Sequence, residues 1–455
     1  MKYLNESFTK ENVKVFCIVL ALSIIYVFPI IFADQYYSDD LSRSIYGYAR
    51  WGYDGRPLAD FVMFIVSFGY PLLDISPAPL ILGLICISAS LSVYSSNIIP
   101  ESGTKEKVVL SILFICNPFL LDNMSYKYDA LTMLLSASLI ILCFSQRNNL
   151  KVGLLSVALL IASLSLYQAS VTMFVSLSVI EAVRSFYSKE EETVKVYKNV
   201  ICRAMQFMVA YLIYSMVVAS RFAKGHHNEK HSELILGKAD ALPRLLNNIN
   251  EFNGLVKLYI ESVPKIVVAT FFISMIFSIL FICYKISKNK KPAFLGKVVP
   301  IVLVLASPLL LYFLSFIHLA MLRNTILAGR VLIPFGCFFI MYGIYVSEIK
   351  KLRYIPFIFV AFSFCLSFSY GNTMKAQKRY DDYLANSIMT DISYLKNKPN
   401  RMSVYGTIAK SKQLTLAEKK IPIIKFLVPL YINNDSGWGG TMLLHYGLNI
   451  KYLPA

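Results

Sequence analysis

Long apolar segments recur along the whole chain, and they restrict the folds that are open to it. An α-helix needs about 20 consecutive apolar residues to cross the hydrocarbon core of a bilayer. Only 16% of the residues are charged, well below the ~25% of an ordinary soluble domain. We therefore predict an all-α, polytopic membrane protein with about eleven transmembrane helices, at residues 13–33, 76–96, 107–122, 129–145, 152–168, 170–187, 204–222, 263–284, 298–317, 331–347 and 353–370.

The apolar segments divide the chain into a membrane body and a tail. The body covers residues 1–370, and its first loop outside the membrane, residues 34–75, carries an acidic motif. Within that loop, Leu58–Leu73 is apolar but short and ends near Pro71, which is typical of an interfacial or re-entrant helix. Residues 371–455 combine a helical pattern with a strand-like stretch, so we predict a small C-terminal α/β domain there.

Positive charge is unevenly distributed among the short loops. Lys and Arg collect in the loops that face the cytoplasm. Two short loops are basic, and their residues are Lys285, Lys288, Lys290, Lys291 and Lys297 in one and Lys350, Lys351 and Arg353 in the other. This pattern predicts a cytoplasmic N-terminus. It places on the opposite face the first loop, the loops at residues 122–129, 223–262 and 318–330, and the tail.

Other features of the composition exclude some classes of function. The net charge is +18, but Lys and Arg are scattered over the loops without interleaved aromatic residues, so we expect no nucleic-acid binding. The eight cysteines lie in or beside apolar segments without CxxC spacing, so we expect neither a disulfide nor a structural metal. His226, His227 and His231 allow an i, i+4 pair, but further ligands are missing nearby and we predict no metal site.

A polar island follows the first apolar segment, at residues 34–43, and continues to residues 51–57. It contains the adjacent carboxylates Asp39 and Asp40, which repel each other. If a helix begins at Asp39, Arg43 lies one turn further along on the same face. A carboxylate beside an Arg at a cavity mouth suits base-assisted group transfer, and equally ion binding in a transporter. A structural role at the membrane edge stays open.

A second set of charged residues comes late in the membrane body. Arg323 and Arg330 are seven residues apart, so a continuous helix would present them on one face at the membrane edge. The guanidinium group binds phosphate with two parallel hydrogen bonds. The alternative is that both side chains extend to lipid headgroups. We interpret the pair as a phosphate site.

A compact polar loop is predicted on the same face as the island. It holds Asp122, Lys127 and Asp129, and Tyr167 and Gln168 lie in a tight connection on that face. Such side chains hydrogen-bond to sugar hydroxyls, although a solvated turn has the same composition. The motifs of soluble nucleotide-binding and zinc enzymes do not occur in the sequence.

Two short motifs resemble those of a known family. They are Ser38-Asp39-Asp40-Leu41-x-Arg43 and Trp51-x-x-Asp54-Gly55-Arg56-Pro57-Leu58. Both are similar to the GtrII-type O-antigen glucosyltransferases, which are serotype-converting enzymes often encoded by temperate phages of enteric bacteria. Tyr167-Gln168 and Gly329-Arg330 are also similar. The resemblance covers roughly residues 1–370, and it extends to the wider GT-C class of polytopic membrane glycosyltransferases.

The resemblance implies a reaction and roles for individual residues. Glucose would pass from undecaprenyl-phosphate glucose to lipid-linked O-antigen at the periplasmic face of the bacterial inner membrane. Asp39 would be the general base with Asp40 supporting it. The donor phosphate would be held by Arg330 and Arg323, and the donor tail would lie in a groove between helices. Further candidates for substrate contact are Arg43, Asp54, Arg56, Asp122, Lys127, Asp129, Tyr167 and Gln168.

We expect membrane lipids and the two lipid-linked substrates as partners, and no cofactor. Two alternatives remain at this point. One is a transporter or flippase of a lipid-linked saccharide, which would need charges near the bilayer midplane and matched halves. Here the charges gather at one face, which favours an interfacial enzyme. The other alternative is transfer of another sugar, such as mannose or aminoarabinose.

Overall fold

The computed structural model describes residues 9–146, 148–187, 193–225, 233–288, 294–397, 399–403, 405–406, 410–432 and 438–453. The part of the chain outside the described residues includes His226, His227 and His231, for which no metal site is predicted. It also includes Lys290 and Lys291 of the basic loop.

Helices account for most of the described residues. In chain order they are α1 (Lys10–Ala33), α2 (Asp40–Tyr46), α3 (Pro57–Val66), α4 (Ala78–Ile98), α5 (Thr104–Ile115), α6 (Leu120–Ser125), α7 (Ala130–Leu142), α8 (Leu150–Leu166), α9 (Thr172–Tyr187), α10 (Thr193–Ile213), α11 (Ser220–Phe222), α12 (Ala241–Ser262), α13 (Lys265–Lys288), α14 (Phe294–Leu314), α15 (Ile317–Ala320), α16 (Gly336–Ser347), α17 (Pro356–Ser393), α18 (Lys412–Lys420), α19 (Ile424–Leu427) and α20 (Trp438–His445). Short 3₁₀ helices cover Gly52–Asp54, Gln168–Ser170 and Gly329–Phe335, and a π-helix covers Tyr214–Ala219.

Among the described residues, eight helices are long and apolar enough to cross a membrane. Each coincides with one of the eleven predicted segments, so the prediction of an all-α polytopic membrane protein is confirmed. The other three predicted segments, residues 107–122, 129–145 and 152–168, correspond to shorter helices: α5 followed by α6, α7, and α8. Helices α5, α7 and α8 contain 12, 13 and 17 residues. The count of eleven spans therefore stays a prediction.

Helix α1 ends where the polar island begins. Asp34 has a φ angle of 51°, and this left-handed conformation stops the helix. Helix α17 packs closely along α1 at Gly371, where the missing side chain leaves room for Pro29: an added Cβ would lie only 2.5 Å from it. The Ser367 hydroxyl also donates to the Tyr26 carbonyl at 2.5 Å. This close pair of helices holds the start of the island against the last helix of the body.

The tail continues directly from the body. Helix α17 runs unbroken through residue 370, so the predicted domain boundary falls inside it. Strands β1 (Arg401–Ser403) and β2 (Lys451–Leu453) pair in parallel, with Arg401 opposite Lys451. Leu414, Ile423, Ile424 and Leu427 of the tail are fully buried in the main apolar core of the protein. The division of the chain into two domains stays a prediction.

Ion pairs fill the end of the bundle opposite the polar island. They join α1 to α5, α9 and α13 to the end of α16, α10 to α9, and the turn after α16 to α5, and they are Lys107–Glu11, Arg184–Glu348, Lys285–Glu348, Arg203–Glu181 and Arg353–Glu106. Because the two ends differ in this way, they are called here the island end and the basic end.

Candidate active site

The island folds into a tight turn and one short helix. Asp34 and Ser38 both have positive φ angles, of 51° and 49°, so the chain reverses sharply after α1. Helix α2 begins at Asp40, one residue later than predicted, and Asp39 directly precedes it. The Arg43 N–H donates to the Asp39 carbonyl at 3.1 Å, as the predicted i, i+4 relation requires.

Asp40 supports the neighbouring polar loop. Its side chain is fully buried and accepts backbone N–H groups from Lys127 at 2.7 Å, Tyr37 at 3.3 Å and Tyr128 at 3.4 Å. Burial raises the pKa of Asp40 to about 8, and the nearby charge of Asp129 adds to this, although the hydrogen bonds lower it. Asp40 therefore fixes the 126–128 loop against α2, and its carboxyl group holds a proton more readily than an ordinary aspartate.

Asp39 has a different environment from its neighbour. It is partly exposed, and it makes no side-chain hydrogen bond at the start of α2. Within the part of the chain that the structure describes, its carboxylate forms no ion pair. A carboxylate that is accessible and not engaged by protein groups can accept a proton from a substrate. The two adjacent acids are thus separated into a supporting residue and an accessible one.

Arg43 pairs with Asp129 and not with Asp39. Its Nη1 atom lies 2.5 Å from Asp129 Oδ2, and both side chains are about 95% buried. The guanidinium stacks on the Trp51 ring, 4.1 Å from its centroid, and Trp51 Nε1–H donates to Asp129 Oδ1 at 2.5 Å. Arg43, predicted on the same face as Asp39, belongs to this buried triad, which fixes α2 to the start of α7.

Asp54, Arg56 and Gln168 form the margin of the site. Arg56 lies 3.2 Å from Asp54 and 3.9 Å from Asp129, and its guanidinium is 5.8 Å from the centre of the Tyr167 ring. The Gln168 amide donates to the Asp54 carbonyl at 2.7 Å. Sequence analysis missed Asp60, whose carboxylate accepts the N–H groups of residues 51 and 52 and holds this loop closed.

The backbone around Arg330 is clamped by the polar loop. The Arg330 N–H donates to Asp122 Oδ2 at 2.9 Å. The Arg330 carbonyl accepts from Tyr167 Oη and from Asn123 Nδ2, both at 3.0 Å. Gly329 permits this approach, because an added Cβ would lie 3.1 Å from the Asp122 side chain. Asp122 and Tyr167, predicted as sugar ligands, are here engaged in positioning the segment that carries Arg330.

The Arg330 guanidinium points to Tyr126, which the sequence analysis also missed. The guanidinium donates a hydrogen bond to the Tyr126 hydroxyl. Among the described residues, it forms no ion pair with a carboxylate. Burial raises the pKa of Tyr126 well above its ordinary value; Arg330 opposes this shift, and the charges of Asp122 and Asp39 add to it. The Tyr126 hydroxyl therefore lies within the electrostatic reach of both Asp39 and Arg330.

Arg323 lies apart from this group. The residues between it and Arg330 are not helical: Leu322 bridges to Leu234, and Ala328 is extended at φ −145° and ψ 151°. The guanidinium of Arg323 is 3.0 Å from Glu233 and 40% of the side chain is exposed. The prediction that the two arginines share one helical face is therefore wrong, because the helix ends before residue 323.

Lys127 is engaged by acidic partners at the surface of the island. Its ammonium lies 2.5 Å from Asp34 and 3.2 Å from Asp74, and 4.0 Å from the centre of the Tyr36 ring. Lys378 of α17 also donates to the Asp34 carbonyl at 2.7 Å. Lys127 thus connects the polar loop to both ends of the first loop.

An apolar groove of about 430 Å³ lies between α12, α13, α14, α16 and α17. Phe335, the last residue of the 3₁₀ helix that carries Arg330, lines it and packs on Phe119 with 5.4 Å between ring centres. The groove follows α13 from Val267 to Ile279, a length of ~18 Å at the rise of an α-helix. It is apolar along its whole length and begins near the island end.

These features define the class of protein: a polytopic membrane protein with a polar, charged site at one end of its helix bundle and an apolar groove beside it. The sequence profile of the family described as Glucosyl transferase GtrII matches residues 28–341. An uncharacterized 55.3 kDa protein of Salmonella phage P22, from the gtrB 5′ region, is 30% identical over 438 residues, which cover 94% of this chain and 88% of that protein. No solved structure matches the chain. The chain belongs to the GtrII glucosyltransferase family and is a membrane glucosyltransferase.

Proposed function

We propose that this protein transfers glucose from undecaprenyl-phosphate glucose to lipid-linked O-antigen at the periplasmic face of the bacterial inner membrane. One observation carries the proposal. Arg330 places a guanidinium that has no carboxylate partner among the described residues beside the Tyr126 hydroxyl, whose pKa the charge of Asp39 helps to raise. A cation without an ion-pair partner favours an anionic ligand, and the phosphate of a lipid-linked sugar is one.

The two groups have complementary roles in glycosyl transfer. Asp39 accepts the proton of the acceptor hydroxyl while that oxygen forms a bond to C1 of glucose. The bond between C1 and the phosphate oxygen breaks, and the electron pair leaves with undecaprenyl phosphate. Arg330 stabilises the negative charge that develops on the leaving phosphate. Asp40, Asp122 and Tyr167 position these two groups through the hydrogen bonds described above.

The apolar groove supports a polyprenyl donor. It begins at Phe335, five residues after Arg330, and it is lined by apolar side chains down to the middle of α13. A donor whose phosphate contacts Arg330 can extend its aliphatic chain into this groove, where it replaces membrane lipid at little cost. The groove therefore explains why the site is built next to the apolar membrane helix α13.

The distribution of charge supports the proposed sidedness. Lys107, Arg184, Lys285 and Arg353 are at the basic end, opposite the island. Since positive residues are retained in the cytoplasm, the island end is then periplasmic.

Comparison of O-antigen from cells with and without the gene tests the proposal, with cells carrying Asp39→Asn as the matched control. Linkage analysis and mass spectrometry should show an added glucose only with the wild-type gene. A different added sugar would overturn the assignment of glucose. Unmodified O-antigen in all three strains, with the protein present in the membrane, would overturn the proposal.

A further inference from the structure

A second cavity, of about 770 Å³, lies at the basic end between α8, α9 and α10. It is separated from the candidate active site by the length of α8, whose 17 residues span ~25 Å. Tyr167, at the far end of α8, contacts Arg330, whereas Asn149 and Leu150, at its beginning, line this cavity. The cavity is therefore not part of the glucosyl-transfer site.

The inner wall of the cavity is a preformed polar network. The Asn148 amide donates to Asn199 at 2.7 Å, and the Gln206 amide donates to Asn148 at 2.9 Å. Glu181 also lines the cavity, and its two oxygens each lie 2.9 Å from Arg203, which is 1% exposed. The negative charge of this glutamate is thus balanced, and the network joins α8, α9 and α10 around a polar recess.

The rim adds positive charge to this recess. Lys195 and Lys198, on the first two turns of α10, both line the cavity and are exposed. An amide-lined recess with two lysines at its mouth has the chemistry of a site for a phosphate group.

The other side of the cavity is apolar and open to the bilayer. Leu154 of α8 and Met205 and Val209 of α10 line it, with 66%, 61% and 43% of their surfaces exposed. These helices belong to the membrane body, so the exposed side chains face hydrocarbon. Gly153 lets α8 pack closely on Gln206 of α10 beside the cavity, because an added Cβ would lie 2.9 Å from Gln206 Nε2. The cavity therefore fits a molecule with a polar head and an aliphatic chain.

We propose that this cavity binds an anionic glycerophospholipid of the cytoplasmic leaflet, with its phosphate at Lys195 and Lys198 and an acyl chain along Leu154 and Met205. Anionic lipids are enriched in that leaflet and are recognised by basic pockets between transmembrane helices. The bound lipid joins α8 to α10, helices that also flank the candidate active site through Tyr167 and Tyr214. This inference rests on the membrane placement of the chain and not on the proposed reaction.

The test measures lipid binding to the purified full-length protein by native mass spectrometry and by thermal unfolding. The probes are phosphatidylglycerol, phosphatidylcholine and free glycerol phosphate. We expect phosphatidylglycerol to remain bound and to raise the unfolding temperature, with little effect of the other two. Lys195→Gln with Lys198→Gln should weaken binding about thirty-fold, since each lysine near an anionic lipid contributes roughly a factor of five. The matched control, Lys350→Gln with Lys351→Gln, removes the same charge at the same end and should bind normally.

A second variant tests the apolar part without changing charge. Leu154→Ser with Met205→Ser removes two exposed apolar side chains that line the cavity and should also reduce binding of phosphatidylglycerol. Equal stabilisation by phosphatidylcholine, or an equal loss in the control variant, would overturn the inference of a specific anionic-lipid site. Equal stabilisation by glycerol phosphate would show a site for a free phosphate ester and would overturn the assignment to a lipid.

Discussion

Replacement of Asp40 tests whether this residue supports the loop or takes part in the chemistry. Its carboxylate accepts the N–H groups of Lys127 at 2.7 Å and of Tyr37 at 3.3 Å in a fully buried position. Asp40→Ala removes the acceptor for both, and each orphaned buried donor costs about 1–3 kcal/mol. We expect a loss of stability of about 2–6 kcal/mol. Activity should fall as well, because the loop that carries Tyr126 is no longer fixed.

Asp40→Asn provides the matched comparison. The asparagine carbonyl can accept the N–H groups of Lys127 and Tyr37, which share one oxygen of Asp40, and the neutral amide resembles the protonated carboxyl that the raised pKa of Asp40 favours. Stability and glucosyl transfer should therefore stay near wild type. Thermal unfolding in detergent and O-antigen analysis in cells measure the two quantities. An Asp40→Asn protein that is as stable as wild type but inactive would refute this reasoning and assign the base to Asp40.

The same pair of proteins gives a pH-dependence with a definite sign. The pKa of Asp40 is about 8 in the folded protein, against an ordinary value of 3.8. Between these values the folded state holds a proton that the unfolded state has released, so the stabilising contribution is complete below pH 4 and is lost as the pH rises to 8. The unfolding temperature of the wild type should fall relative to that of Asp40→Asn over this range. Parallel curves for the two proteins would contradict the assigned pKa.

Three further predictions concern the site and its orientation. Asp39→Asn should lower the transfer rate by about 10²–10⁴-fold without changing stability or donor binding, and full activity in this variant would exclude Asp39 as the base. Arg330→Lys keeps the charge but loses the planar fork, so activity should drop about 10- to 100-fold while the protein still inserts, and Arg330→Ala should raise the donor KM. Unchanged kinetics with undecaprenyl-phosphate glucose would exclude Arg330 as the phosphate ligand. A phosphatase fused after residue 455 should be active, and an inactive fusion with an active cytoplasmic reporter would show that the number of spans is wrong.

Apolar length and charge predicted the membrane helices and the end at which the polar residues meet, since both follow from transfer of side chains into lipid. The sequence could not separate Asp39 from Asp40, because the difference depends on which carboxylate faces the N–H groups of the 126–128 loop. It also failed at Arg323, where periodicity was assumed across a segment that is not helical. Tyr126 directly precedes Lys127 in the polar loop, so its position in the sequence indicates it as a further candidate.

The tail shows why the site depends on contacts that are distant in sequence. Tyr431 accepts the Ser38 N–H at 3.1 Å and donates to the Tyr36 carbonyl at 2.5 Å. It therefore holds two of the three residues that come directly before Asp39. Tyr37, between them, donates from its hydroxyl to the Leu427 carbonyl at 2.8 Å. These bonds join segments about 390 residues apart, and no local pattern specifies them. Since these contacts hold the turn in which Ser38 has a positive φ, the conformation of the acidic motif depends on the tail, and a division at residue 370 would separate Asp39 from the groups that position it.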